Sequence, residues 1–175
     1  MDLFDILSSS DVKGKIEDNL DYVLNLIPEI KPCIGFEHKH PHHHLDVWEH
    51  TLLALSLSPN DYIIRLALLL HDIGKPFSYQ EGPVRHFYGH NIKSMEIAKT
   101  VLKRLGISYD NSKLICYLIK YHDTKIDVDK INKDNYKFYK MLFIIQKCDA
   151  LSHNPLKLQK RKEYILKMDS YFKQK

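Results

Sequence analysis

The stretch NDYIIRLALLLHDIGKP, residues 60–76, governs the reading of the fold. Between Tyr62 and Leu70 every residue except Arg65 is apolar. A run without polar–apolar alternation fits neither a half-buried strand nor an amphipathic surface helix. It fits a helix buried in the middle of a bundle. Gly74 and Pro76 stop it, in the Gly-then-Pro order of a helix C-terminus. Burying an unpartnered polar group costs on the order of several kcal/mol. Yet this segment delivers His71 and Asp72 side by side at the end of its most apolar run. Neighbouring helical residues diverge by about 100°, so both side chains can converge on one point only near a helix end.

Working outward, helical spacing covers Val12 to Ile27 and stops before Pro28. Residues 28–45, with Pro28, Pro32, Gly35 and Pro41, read as a loop. Asp46 looks like a helix start, followed by VWEHTLLALSL up to Pro59. After the loop KPFSYQEGPVRHFYGHN, helical periods return at about 91–105, 111–122, 135–151 and 156–172. The alternation KIDVDKI is short and mostly polar, and no strand series, internal repeat or low-complexity linker is visible. The expected fold is all-α: a single-domain helical bundle of six or seven helices over residues 1–175. Residues 1–39 supply an N-terminal helix and loop. Residues 156–175 supply a basic amphipathic helix with an apolar stripe at Leu158, Ile165, Met168 and Phe172.

A chain of 175 residues can bury one substantial core and is short for two domains. Its 44% apolar and 27% charged residues suit a soluble globular domain. No uncharged apolar run approaches the about 18 residues of a membrane span, so no membrane partner is expected. The N-terminus MDLFDILSSSDVKGK is acidic at its start, unlike a signal peptide. Cys33, Cys116 and Cys148 lack CxxC spacing and read as reduced thiols of a cytoplasmic protein. The net charge is +4. From Leu156 to Lys175, seven Lys or Arg face Glu163 and Asp169, leaving the rest near neutral. Such a helix can contact phosphates; the plainer reading is a solvated face.

Six histidines crowd HKHPHHHLDVWEH, residues 38–50. The tract is internal, interrupted by Pro41, and runs into an apolar-periodic segment, which excludes a purification tag. The pattern H…HD…D, carried by His50, His71–Asp72 and Asp149, resembles the HD-domain metal-dependent phosphohydrolases. The segments PHHHLDVWEHTLL, LALLLHDIGKP, FYGHNIKSMEIAKTVLKRL, YLIKYHD and KCDALSHNP extend the resemblance. They follow the order and rough spacing of the HD domain attached to bacterial CCA-adding tRNA nucleotidyltransferases, from about residue 40 to 160, here as a stand-alone domain. The resemblance implies the HD-domain fold and a first metal site at His50, His71, Asp72 and Asp149. It implies a second site completed by His90 and His122, with Asp72 bridging. One or two divalent ions are expected: Mn, Fe, Co, Ni, Zn or Mg.

All six candidates are imidazole or carboxylate, which excludes a Cys-type zinc finger or an iron–sulfur site. Mixed N/O ligands suit transition ions without selecting one. Two such ions about 3.5–4 Å apart polarise a phosphoryl oxygen and acidify a water. Asp72, Lys75 and His43 form the expected catalytic set, Lys75 and His43 standing where the proteins that this sequence resembles carry a lysine and a histidine. Lys75 and His43, with Arg85, are expected to hold substrate, Lys75 as a phosphate clamp; His86 is a lesser candidate. The bland alternatives are a solvated helix-end lysine and helix-cap or surface histidines at His90 and His122. Asp123 reads as a helix cap and stays outside the catalytic set. Asp46 either caps its helix or orients His50. Trp48 reads as core, His38 and His40 as exposed loop residues, and His42 and His44 carry no assigned role.

The implied activity is cleavage of a phosphate mono- or diester of a nucleotide, of phosphatase, 2′-nucleotidase or 2′,3′-cyclic phosphodiesterase type. No Gly-rich strand-turn motif with paired carboxylates precedes the HD-like region, so CCA addition is not expected. Two alternatives stand beside this reading. One is a non-enzymatic, metal-stabilised RNA-binding module; the other is an HD hydrolase acting on an alarmone or dNTP. The expected partner is a small phosphate ester, with nucleic acid as the secondary choice.

Overall fold

The computed structural model describes residues 2–174. Nine α-helices are found among them: α1 (Leu3–Leu7), α2 (Val12–Asp18), α3 (Leu20–Leu26), α4 (Val47–Ser56), α5 (Tyr62–Leu70), α6 (His90–Arg104), α7 (Tyr109–Tyr121), α8 (Tyr136–Leu151) and α9 (Gln159–Lys173). Among the described residues β-pairing is limited to two isolated antiparallel bridges, Glu37–Asp46 and Gln80–His86. The all-α class is as expected, with two helices beyond the count. Five-residue α1 is too short to show a period. The Val12–Ile27 segment divides at Asn19, whose φ of −123° and ψ of 29° leave helical space. Its buried residues Val12, Ile16, Val23 and Ile27 keep one face across the break, so the pattern ran on where the backbone did not. Among the described residues no helix is long and apolar enough to cross a membrane.

α5 is the bundle's centre, in contact with α1, α4, α6, α7 and α8. Leu66, Ala67, Leu68 and Leu70 are wholly buried. Its polar exception, Arg65, is also buried, and its guanidinium donates to the carbonyls of Leu7 (2.6 Å) and Ser9 (2.7 Å). Leu7 O ends α1 without an intrahelical donor and Ser9 O lies in the turn just after it, so Arg65 satisfies the end of one helix from inside another. The stripe on α9 packs as expected: Leu158, Ile165, Met168 and Phe172 are all buried. Trp48 is buried too.

Two features at the end of α5 differ from expectation. The helix closes at Leu70, so His71 and Asp72 lie in the turn beyond it rather than on its last helical residues. Gly74 has a φ of −84°, so it is not a left-handed cap. A Cβ there would lie 2.5 Å from Ser94 N and 2.7 Å from His90 O. Glycine at 74 lets the start of α6 press against the turn that carries Asp72, and Gly74 N donates to Ser94 Oγ (2.9 Å).

Candidate metal centre

Each candidate histidine reaches the centre from a helix or its end. His50 lies on α4 after a capping box: Asp46 Oδ1 accepts from Glu49 N (2.7 Å), and Glu49 Oε2 accepts from Asp46 N (3.1 Å). Asp46 therefore caps α4. His71 and His122 are the C-cap residues of α5 and α7. His90 opens α6 after Gly89, whose φ of 72° suits glycine. Asp149 lies near the end of α8.

A shared device aims the three rings at helix ends. His71, His90 and His122 each turn Nδ1 back to the carbonyl three residues earlier: Leu68 (2.6 Å), Phe87 (2.8 Å) and Ile119 (2.7 Å). A carbonyl only accepts, so Nδ1 carries a proton, and in the neutral ring each Nε2 presents its lone pair inward to a cation. At His50, Ser152 Oγ gives its own proton to Asp149 O (2.7 Å) and so accepts from Nδ1 (3.0 Å). This ring too points Nε2 inward.

These atoms converge on Asp72. Oδ2 faces His71 Nε2 (3.3 Å) and His50 Nε2 (3.6 Å), and Asp149 Oδ1 sits 2.9 Å from His50 Nε2 and 3.7 Å from His71 Nε2. Oδ1 faces His90 Nε2 (3.3 Å) and His122 Nε2 (3.7 Å). Two sets result, His50–His71–Asp72–Asp149 and Asp72–His90–His122, each with ligand atoms within 4.8 Å of one another. Asp72 is common to both.

Three observations test whether an ion fits. His71 Nε2 and Asp72 Oδ1 are buried with no hydrogen-bond partner, although acceptable neighbours lie at ion-pair distance. Unmet buried polar atoms carry a penalty of about 1–3 kcal/mol each, and a cation between them removes it. The Nε2 atoms of His90 and His122 face each other at 3.3 Å with both Nδ1 protons committed to carbonyls. Two lone pairs at that distance require a proton or an ion between them. Finally, burial opposes protonation of His71 and His90, but the carboxylates of Asp72 and Asp149 raise His71 to about 10, and those of Asp123 and Asp72 raise His90 to about 9. Buried carboxylates this deficient in positive charge are suited to a divalent cation. The N/O donor set fits a transition ion or Mg.

The remaining candidates sit around this cluster. Lys75 is buried; its ammonium donates to Asp72 Oδ2 (2.6 Å) and to His38 Nε2 (3.1 Å). His38, expected on the surface, is 2% exposed. It donates Nδ1–H to Leu45 O (2.9 Å) and stacks on His43 at 3.7 Å and 7°. Burial and the nearby Lys75 ammonium hold its pKa down to about 2, which keeps it a neutral acceptor. His43 is half-buried beside His50 and His153, with Nδ1 buried and unpartnered. His40 is half-buried, whereas His42 and His44 are exposed. Arg85 lines the cavity, but its guanidinium is occupied. It bonds Glu37 O (2.6 Å) and Glu81 Oε2 (2.8 and 3.0 Å), and lies 4.7 Å from the ring centres of Phe36 and Tyr79. Asp123 Oδ2 lies 3.0 Å from His90 Nε2, a contact its place at a helix end did not reveal.

His153 was missed. It is buried, donates Nδ1–H to Asp149 O (2.7 Å), and lines the cavity with His43. Its spacing of four from Asp149 puts it on the same helical side, and that was the available signal. The cavity above the cluster has a volume of about 220 Å³, and its walls include His43, Asp72, Lys75, Tyr88 and Arg161.

A family model for the HD domain matches residues 42–162. The A-adding tRNA nucleotidyltransferase of Deinococcus radiodurans is 36% identical over 95 residues, covering 50% of this chain and 22% of that protein. The CC-adding tRNA nucleotidyltransferase of Thermus thermophilus is 34% identical over 113 residues, covering 59% and 26%. The multifunctional CCA protein of an Azoarcus species is 28% identical over 133 residues, covering 72% and 30%. The chain thus spans less than a third of the length of these relatives. With the family match running from the histidine tract to the first turn of α9, the chain belongs to the HD domain family.

Proposed function

We propose that this chain is a metal-dependent phosphohydrolase acting on a phosphate mono- or diester of a nucleotide, of phosphatase, 2′-nucleotidase or 2′,3′-cyclic phosphodiesterase type. The observation that carries the proposal is the pair of ligand sets hinged on Asp72, with Oδ1 of Asp72 and Nε2 of His71 buried and unpartnered. A structural site needs about four ligands and no open position. Here there are six candidates, and four of them, Asp72, His90, His122 and Asp149, border a cavity that still admits solvent-sized groups. His50, His71, Asp72 and Asp149 would hold one ion, and Asp72, His90 and His122 a second. An ion bound there supplies Lewis acidity and lowers the pKa of water.

The chain's own groups do the rest. Lys75, fixed between Asp72 and His38, lines the cavity and offers positive charge to a non-bridging phosphoryl oxygen. Burial and the Lys75 charge hold His43 well below the ordinary histidine range. It is therefore neutral at pH 7 and suited to hydrogen-bonding substrate rather than to donating a proton. Relatives named for tRNA favour a nucleotide among phosphate esters.

The test uses protein purified without chelator. Elemental analysis should find one to two equivalents of a divalent ion, and bis-p-nitrophenyl phosphate should be hydrolysed. A protein that neither retains metal nor takes up added Mn or Ni sinks the reading.

A further inference from the structure

Three cationic side chains edge the cavity above the metal centre: Lys75, Arg85 and Arg161. Two are engaged, Lys75 with Asp72 and His38, and Arg85 with Glu81, Glu37 and two aromatic rings. Arg161, half-buried on α9, has no hydrogen bond or ion pair among the described residues. A second cavity of about 290 Å³ adjoins the first and shares His122, Asp123, Asp149 and Arg161 with it. Lys125 and Lys160 line this second cavity. Both are exposed and likewise unpaired among the described residues.

The acidic residues of α9 do not answer this charge. Glu163 accepts from Gln159 (3.2 Å), and Asp169 holds Lys147 (2.7 Å). Lys160 and Arg161 also occupy the first turn of α9, where the helix dipole disfavours cations. Asp123 and Asp149, which line the same cavities, face His90 (3.0 Å) and His50 (2.9 Å), so neither pairs with these cations. Three like charges gathered beside the metal centre are explained by an anion that they receive. Across the first cavity Tyr88, 69% exposed, stacks on His86 with ring centres 5.5 Å apart at 15°. That flat aromatic wall is of the kind on which a base stacks.

We propose that Arg161, with Lys125 and Lys160, forms a second phosphate subsite beside the metal centre. The substrate is then a nucleotide carrying a phosphate besides the one that is cleaved. Identification of the cleaved phosphate rests on the phosphohydrolase reading; the second subsite is a matter of binding alone. A mononucleotide bisphosphate and a phosphorylated RNA end offer the same second phosphate.

The test is titration calorimetry of the full chain with adenosine 5′-monophosphate, adenosine 3′,5′-bisphosphate and a 5′-phosphorylated trinucleotide. A charge-assisted contact is worth roughly tenfold or more in affinity. The wild-type protein should therefore prefer at least one of the two probes that carry a further phosphate, the bisphosphate or the trinucleotide, over the monophosphate by about that factor. Arg161→Ala should erase the preference and Arg161→Lys should keep part of it, with unchanged far-UV circular dichroism in each. Gain by the bisphosphate identifies a mononucleotide source, and gain by the trinucleotide alone identifies an RNA end. Equal affinity for all three probes, no binding by any of them, or a preference that survives Arg161→Ala overturns the subsite. Absence of metal-dependent hydrolysis alongside an intact, Arg161-dependent preference would instead remove only the phosphohydrolase reading.

Discussion

Asp72 carries more of this centre than any other side chain. Both its oxygens are buried, one facing His50, His71 and Lys75 and the other facing His90 and His122. Replacing it with asparagine keeps the volume but removes the charge that both ligand sets share. Asp72→Asn should purify without metal and lose hydrolysis of bis-p-nitrophenyl phosphate to background; retained metal with retained turnover would refute the assignment. His38 gives a second expectation. Its removal strips an acceptor from the buried Lys75 ammonium and a stacking partner from His43. His38→Ala should lower stability by about 1–3 kcal/mol, measured by urea denaturation, whereas a surface histidine would give a change near zero. Sequence reasoning placed His38 on the surface because nothing local marks it as buried. Its position follows from contacts remote in sequence: Arg85 binds Glu37 O, and Arg85 N binds Lys39 O (3.1 Å). His71 and Asp72 were legible for the opposite reason, since two polar residues at the end of an apolar run demand an explanation that the sequence itself poses.

At the scale of elements, the centre depends on how closely the start of α6 approaches the turn after α5. Gly74 sets that distance, because the atoms a Cβ would meet are backbone atoms of His90 and Ser94, which cannot rotate away. Gly74→Ala should destabilise the fold by about 1–3 kcal/mol, as overpacking does. It should also weaken metal retention more than Gly106→Ala, where a φ of 69° strains alanine but the added Cβ meets nothing within 4 Å. Equal metal content in the two variants would argue against this coupling. Helix identities were readable because each long helix repeats its own apolar period. The ends were less so: α5 stops at Leu70 rather than near Gly74, and the α2–α3 segment breaks at Asn19. Both ends are set by what the chain packs against, which a period does not contain. The α9 stripe was legible as packing surface, but not the role of the cations beside it. Arg161 gains meaning only from sharing a cavity with Asp149, twelve residues before it and on another helix.

Across the whole molecule, the candidate ligands tie together α4, the turn after α5, the start of α6, the end of α7 and α8. His50 and Asp149 are 99 residues apart in sequence. An ion that binds only when these elements are assembled stabilises the folded state by mass action, by about 2.7 kcal/mol at a hundredfold excess over Kd. For a chain of this length, that corresponds to a rise in Tm of about 5–10 °C. Chelator-stripped protein should therefore melt about that much lower and recover on addition of Mn. The three thiols give an independent readout, since Cys33, Cys116 and Cys148 are free and buried. Burial, reinforced by the neighbouring carboxylates of Asp72 and Asp149 respectively, pushes Cys33 and Cys148 up to about 12, so neither is a thiolate in the native protein at pH 8. Labelling by a disulfide reagent should be silent in the metal-loaded protein and faster after stripping, as the elements carrying Cys33 and Cys148 open more often. Thiol labelling and melting temperature that both ignore the metal would show that the cluster does not brace the bundle, even if it binds an ion.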